Sequence, residues 1–170
     1  EKNFTRYMVK DGLSDINITS LQQDEQGYMW IGTEDGLNRF DGTGFKKIYK
    51  GTSPLNLFSE NIWKLKNFGK DELGIISRGG LQVVNTNDYS VKNYYIPDST
   101  EIGPHLNNIW DAVELPDGKY AVSAGCGFYV YVPKGNLIKR YDALTAKDIG
   151  SRIMRYGKDI FMLSPINYIV

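Results

Sequence analysis

Short runs of apolar and β-branched residues recur along the chain, and each run is followed by a short polar segment, usually with a glycine. Such runs, bounded by turn residues, predict β-strands joined by tight hairpins. No window shows a sustained apolar period of about 3.6 residues flanked by capping residues, so essentially no helix is predicted. In the first copy of the pattern, the predicted strands are 18–23, 28–33, 37–41 and 45–49.

The same pattern returns every 44 to 47 residues. Asn17, Asn61 and Asn108 each open an equivalent segment, in which an isoleucine follows the asparagine. A second match point at the same offsets aligns residues 30–37 with 74–81 and with 121–128. Two match points that keep one spacing indicate an internal repeat of four strands.

Four antiparallel strands with this period are typical of a β-propeller blade, because such a sheet buries both faces only when it is stacked between neighbours. We therefore predict an all-β fold, with residues 1–170 forming a partial or small propeller of about four blades. A piece of a larger propeller is favoured over closure with four blades, and a β-solenoid or a sandwich is the less favoured architecture. The predicted blades are 17–49, 61–95, 108–141 and 152–170, with residues 4–8 as an outer strand that completes another blade.

The composition and charge of the chain argue against several classes of function. The 20 Lys and Arg balance the 20 Asp and Glu, which argues against a nucleic-acid partner because such partners are normally met by surplus positive charge. Cys126 and His105 are single, which excludes an internal disulfide and leaves little material for metal clusters or His-based catalysis. The apolar stretch 120–133 is too short and too interrupted for a membrane-spanning helix. No cofactor and no metal site are predicted.

The first copy carries a family resemblance. Residues 17–42, with Trp30-Ile31-Gly32-Thr33 at their centre, resemble the two-component-regulator propeller repeat. Residues 4–14 resemble the start of the sensor region of hybrid two-component systems, and the later copies are degenerate. The resemblance implies a periplasmic module that responds to oligosaccharides, precedes a transmembrane helix and a histidine kinase in the same protein, and forms a homodimer in the full receptor.

Antiparallel order also predicts a candidate binding face. In each copy, the connection into the first strand, which is the inner strand of the blade, lies on the same face as the hairpin between the second and third strands. Loops on such a face commonly bind ligands. Amides, carboxylates and a guanidinium suit sugar hydroxyl groups. Each candidate also has a structural interpretation: turn asparagines, inter-blade core tryptophans and solvated hairpin charges. The candidate ligand-binding residues are Asn17, Glu34, Asp35, Asn61, Arg78, Asn108, Trp63 and Trp110.

Three functions remain open at this point. The first is a ligand-sensing extracytoplasmic module, favoured by the first repeat and by the shortage of histidine. The second is a glycan-cleaving hydrolase or lyase, which needs an acid and base pair near the axis, and Asp111 is the inner-strand acid that the sequence offers for it. The third is an interaction platform that drives dimerisation without a small ligand.

Overall fold

The computed structural model describes residues 4–52, 55–96, 108–125, 127–142 and 152–163. These residues form strands and turns, with one 3-10 turn at Val9–Asp11. The first copy contains β1 (Ile18–Gln23), β2 (Met29–Thr33), β3 (Leu37–Phe40) and β4 (Phe45–Ile48). The second contains β5 (Ile62–Gly69), β6 (Glu72–Ser77), β7 (Gly80–Asn85) and β8 (Val91–Tyr94). The rest are β9 (Ile109–Glu114), β10 (Tyr120–Ala124), β11 (Gly127–Tyr131), β12 (Leu137–Asp142), β13 (Arg152–Tyr156) and β14 (Asp159–Leu163).

Each of the first three copies is one antiparallel sheet whose strands neighbour one another in chain order: β1 to β4, β5 to β8 and β9 to β12. The predicted all-β fold with four-stranded antiparallel blades is thereby confirmed. β13 and β14 form a two-stranded sheet in the fourth copy, and residues 164–170 of that predicted blade lie outside the described residues.

Neighbouring sheets meet through their inner strands, since β1 contacts β5, β5 contacts β9, and β9 contacts β13. Apolar side chains fill the space between successive sheets and make three core clusters. Both faces of the second strands are covered, and every residue of β10 is buried. Burial on two sides is the physical reason why these strands are continuously apolar instead of alternating.

The second copy compensates for the loss of the first copy's tryptophan. Trp30 is fully buried, and its indole N–H donates to Asp24 Oδ2 at 2.8 Å. In the second copy glycine stands at the equivalent position, Gly74, and a Cβ there would lie 2.8 Å from Cζ of Phe68. Phe68 in turn occupies the place of Asp24, so the large side chain has moved from the second strand to the end of the inner strand. The space between sheets is filled in both cases.

A β-bulge recurs in the first part of every inner strand of the three complete sheets. The pairing register shifts between Ile18 and Ser20 in β1, and at the equivalent places in β5 and β9. A bulge leaves one residue outside the ladder and re-aims its side chain. The three bulged positions are Thr19, Trp63 and Trp110.

Residues 4–8, predicted as an outer strand that completes another blade, form no strand in the structure, and no described strand pairs with them. An isolated strand would leave its backbone groups without partners. Instead, the Tyr7 ring packs 4.9 Å from the Phe40 ring and 5.5 Å from the Phe45 ring. Aromatic contact therefore holds the segment against the first sheet.

Candidate functional site

The face predicted from strand order begins at Asn17. Its side-chain amide donates to Glu34 Oε2 at 3.2 Å, and the Glu34 backbone N–H donates to the Asn17 carbonyl at 3.2 Å. The connection into β1 and the hairpin between β2 and β3 are thus joined directly. The backbone N–H of Asn17 bonds to Asp15 Oδ1, so the turn is closed by Asp15, and the asparagine side chain is left for the hairpin.

The other polar candidates on the loops are spread over separate sheets. Asp35 is exposed beside Glu34, and Arg78 is exposed in the hairpin between β6 and β7. Asn61 is exposed and Asn108 is half-buried at the entries to β5 and β9. Within the described ranges, no side-chain hydrogen bond or ion pair links Arg78, Asn61 or Asn108 to the Asn17 and Glu34 pair. A ligand that contacted them all would have to reach across several blades.

The two inner-strand tryptophans are brought together. Their rings stack, with centroids 5.5 Å apart and planes inclined by 16°. Trp63 packs partly against the core between the second and third sheets, whereas Trp110 keeps 37% of its surface exposed. Each tryptophan is therefore partly core and partly surface, and the stacked pair presents an aromatic face close to where the inner strands begin. The bulges make this possible, because both rings leave the regular ladder.

A buried ion cluster lies immediately beside the stacked pair. Asp111 is only 3% exposed, and its carboxylate lies 2.9 Å from Nζ of Lys64 and 3.1 Å from Nζ of Lys66. It also accepts the backbone N–H groups of Ala112 at 2.9 Å and Ile153 at 3.3 Å. This cluster joins the inner strands β5, β9 and β13 and fixes the strands that carry the tryptophans.

The geometry of this ion cluster argues against a catalytic role for Asp111. Each oxygen of Asp111 meets one ammonium group and one backbone N–H. With four donors in place, the acceptor positions of the carboxylate are occupied by the protein itself, which leaves little room for contact with a substrate. The arrangement suits a structural anion that holds blades together.

A second polar cluster lies at the opposite ends of the strands, and sequence reasoning missed it. Tyr120 donates to Glu72 Oε2, and Lys92 Nζ lies 2.7 Å from Glu72 Oε1. Burial, with the charge of Glu72 as the next cause, raises the pKa of Glu114 above its ordinary value. Burial likewise raises the pKa of Tyr94 and of Tyr120. These residues come from four strands in two copies, so no local motif marks them.

In the part of the chain that the structure describes, no three His, Cys, Asp or Glu side chains gather closely enough to hold a metal ion. Cys126 and His105 lie outside the described residues. No helix in the described ranges is long and apolar enough to cross a membrane.

The successive four-stranded sheets, which contact one another through their inner strands, define a β-propeller fold, and comparison with known proteins shows what the chain resembles. Residues 12–35 match the family model of the two component regulator propeller. A histidine kinase P4 of Formosa agariphila is 47% identical over 47 residues, which cover 28% of this chain and 3% of that protein. The resemblance identified in the first repeat is therefore confirmed.

Solved structures support the same architecture. The extracellular domain of a putative hybrid two component system from B. thetaiotaomicron superposes with a TM-score of 0.67 at 18% identity, over 91% of this chain and 21% of that one. Virginiamycin B lyase from Staphylococcus aureus superposes with a TM-score of 0.66 at 13% identity, over 87% of this chain and 49% of the lyase. At these identities the likeness establishes the propeller fold. The chain spans about a fifth of that extracellular domain and about half of the lyase.

Proposed function

We propose that this chain belongs to the ligand-sensing region of a hybrid two-component sensor. In this proposal the region lies in the periplasm, detects an oligosaccharide, and signals to a histidine kinase of the same protein, which acts as a homodimer. The observation that carries the proposal is the 47% identity of a 47-residue stretch to a histidine kinase. The similar extracellular domains of hybrid two-component systems support it.

The stacked tryptophans support an oligosaccharide as the ligand. A pyranose ring has an apolar face that packs on an aromatic ring, and hydroxyl groups that need polar partners. The exposed part of Trp110 offers an aromatic surface for the apolar face of the sugar. The Asn17 and Glu34 pair offers amide and carboxylate groups for its hydroxyl groups, on the loops of the predicted face. Their separation on different sheets favours a ligand of several sugar units over a monosaccharide.

The enzymatic alternative draws on the similarity of the fold to virginiamycin B lyase. It is the weaker proposal, since Asp111, the acid that the sequence offered for it, is held by two lysines and two backbone N–H groups. A platform for dimerisation without a ligand is the third proposal. It gives no role to the exposed tryptophan surface.

Tryptophan fluorescence tests these proposals on the chain itself. Titration with neutral cello-, xylo- and laminari-oligosaccharides should quench emission saturably for one of them, and Trp110→Ala should weaken that binding about 3- to 10-fold, the effect of losing one aromatic contact. Tyr156→Ala, which removes an exposed aromatic ring at the other end of an inner strand, is the matched control. Release of new reducing ends would favour the enzyme, and no binding by any of these sugars would contradict the oligosaccharide assignment.

A further inference from the structure

A separate concave feature lies at the outer rim between the first and second sheets. It is a cleft of about 460 Å³, a size typical of sites for small molecules. The residues that form it follow the outer strand β4, precede β5, or lie on and before the outer strand β8. They are Lys50, Asn56, Leu57, Phe58, Tyr89, Val91 and Asn93.

The hydrogen bonds around the cleft fix the orientation of the side-chain amides of Asn56 and Asn93. The Phe58 N–H donates to Gln82 Oε1 at 2.8 Å, so Gln82 Nε2 must donate elsewhere, and it reaches Asn93 Oδ1 at 3.0 Å. The Gly51 N–H likewise donates to Asn56 Oδ1 at 3.3 Å. Both oxygens are therefore occupied, and the amide nitrogens of Asn56 and Asn93 have no hydrogen-bond acceptor among the described residues.

The charge of the cleft has one sign. Lys50 is exposed and forms no ion pair with a described residue, and none of the lining residues is a carboxylate. Near Tyr89, Nζ of Lys46 lies 5.0 Å from the ring centroid, and the Arg39 guanidinium donates to the Tyr89 hydroxyl at 2.5 Å. The cleft thus offers donors and positive charge, which calls for an anionic ligand rich in acceptors.

The walls of the cleft add an apolar surface. Leu57, Phe58 and Val91 line it together with the half-buried ring of Tyr89. The two amides are not copied from the first sheet, where Gly12 stands at the position of Asn56 and Lys47 at the position of Asn93. Since the first sheet folds without these amides, the fold does not require them.

We propose that this cleft binds an acidic sugar unit, a pyranose that carries a carboxylate or a sulfate. The anion is held by Lys50 and by the two amide nitrogens, and the sugar ring packs against Tyr89 and the aliphatic wall. The site is distinct from the face that carries Trp63 and Trp110, and it does not depend on the sensor role.

Amide NMR titrations of the chain with methyl β-glucuronide, a sulfated glucose and methyl β-glucoside test this proposal. At least one acidic sugar should shift the signals of residues 50, 56 and 93, and the neutral glucoside should bind at least tenfold more weakly. Binding of only one acidic sugar identifies the anion. Equal binding of the neutral glucoside, or no shift with either acidic sugar, overturns the proposal.

Two substitutions test whether the acidic sugar binds in this cleft. Lys50→Gln removes the charge and should weaken binding about tenfold. Asn93→Asp keeps the oxygen that accepts from Gln82 but replaces the free nitrogen by a carboxylate oxygen, so binding should be lost while the fold is retained. Lys47→Gln, at the equivalent position of the first sheet, is the control and should bind as the parent does. Unchanged binding by Lys50→Gln and Asn93→Asp would refute the assignment, and Trp110→Ala should leave this site intact.

Discussion

Removing the charge of Asp111 should loosen three blades at once. Asp111→Asn keeps the shape of the side chain but leaves Lys64 and Lys66 without a counter-ion. Breaking a buried ion pair costs roughly 3 to 5 kcal/mol. The two lysine side chains are 28% and 29% exposed and can turn toward water, so about 2 to 3 kcal/mol is expected here. For a chain of this size that corresponds to a fall in Tm of about 4 to 12 °C.

Urea unfolding followed by tryptophan fluorescence measures this loss, because Trp110 lies next to Asp111 in β9 and reports on the same region. Lys64→Met alone should cost only about 0.5 to 1 kcal/mol, since Lys66 remains as a partner. In the Asp111→Asn background the same substitution should cost almost nothing, which gives a coupling energy of the same size.

The control is an exposed pair of the same chemistry. Lys119 Nζ lies 2.5 Å from Asp117 Oδ2, but the Asp117 side chain is 52% exposed, so Asp117→Asn should leave the free energy of unfolding essentially unchanged. Equal effects of Asp111→Asn and Asp117→Asn would refute the reasoning. Strict additivity of Asp111→Asn and Lys64→Met would refute it as well.

Three further predictions concern single turns and packing contacts. Hydrogen bonds from Thr43, its side chain first, lower the pKa of Asp41 to about 2 from 3.8. The stability that the Asp41 carboxylate contributes is therefore complete above pH 4 and is lost as the pH falls toward 2. Thr43→Val should raise the pKa of Asp41 in a carboxyl NMR titration. Because burial raises the pKa of Glu114, its ionisation disfavours the fold as the pH rises above 4.5, and Glu114→Gln should raise Tm at neutral pH but not at pH 4. Gly74→Ala should lower the free energy of unfolding in urea by about 1 to 3 kcal/mol because the new Cβ meets Phe68. This loss should be smaller in a Phe68→Leu background. Equal losses in both backgrounds would exclude the contact with Phe68 as the cause.

Local pattern was sufficient for the repeat and for the strands. Apolar runs separated by glycine-containing turns specify hairpins by short-range chemistry, and the match points at Asn17, Asn61 and Asn108 specify how often the hairpins recur. Local pattern was not sufficient at residues 4–8, where the structure has no strand. Strand formation there needs a hydrogen-bonded neighbour from elsewhere in the chain, and sequence pattern alone does not supply one.

The site was predictable only in part. Strand order correctly placed the Asn17 connection beside the Glu34 hairpin, because antiparallel topology decides which loops share a face. The pairing of Trp63 with Trp110 could not be read from the sequence, since it depends on two bulges in separate sheets and on the angle between those sheets. The cleft at the outer rim left no signal, because its residues are far apart in the chain and belong to no motif.

The sequence by itself determined the strands, their antiparallel order and the repeating blade, because these follow from the spacing of apolar and turn residues within about 45 positions. The tertiary structure alone decided which polar groups meet between blades. Contacts such as Asp111 with Lys64, or Gln82 with Asn93, depend on distances of a few ångström between side chains, and those distances are set only when the sheets pack against one another.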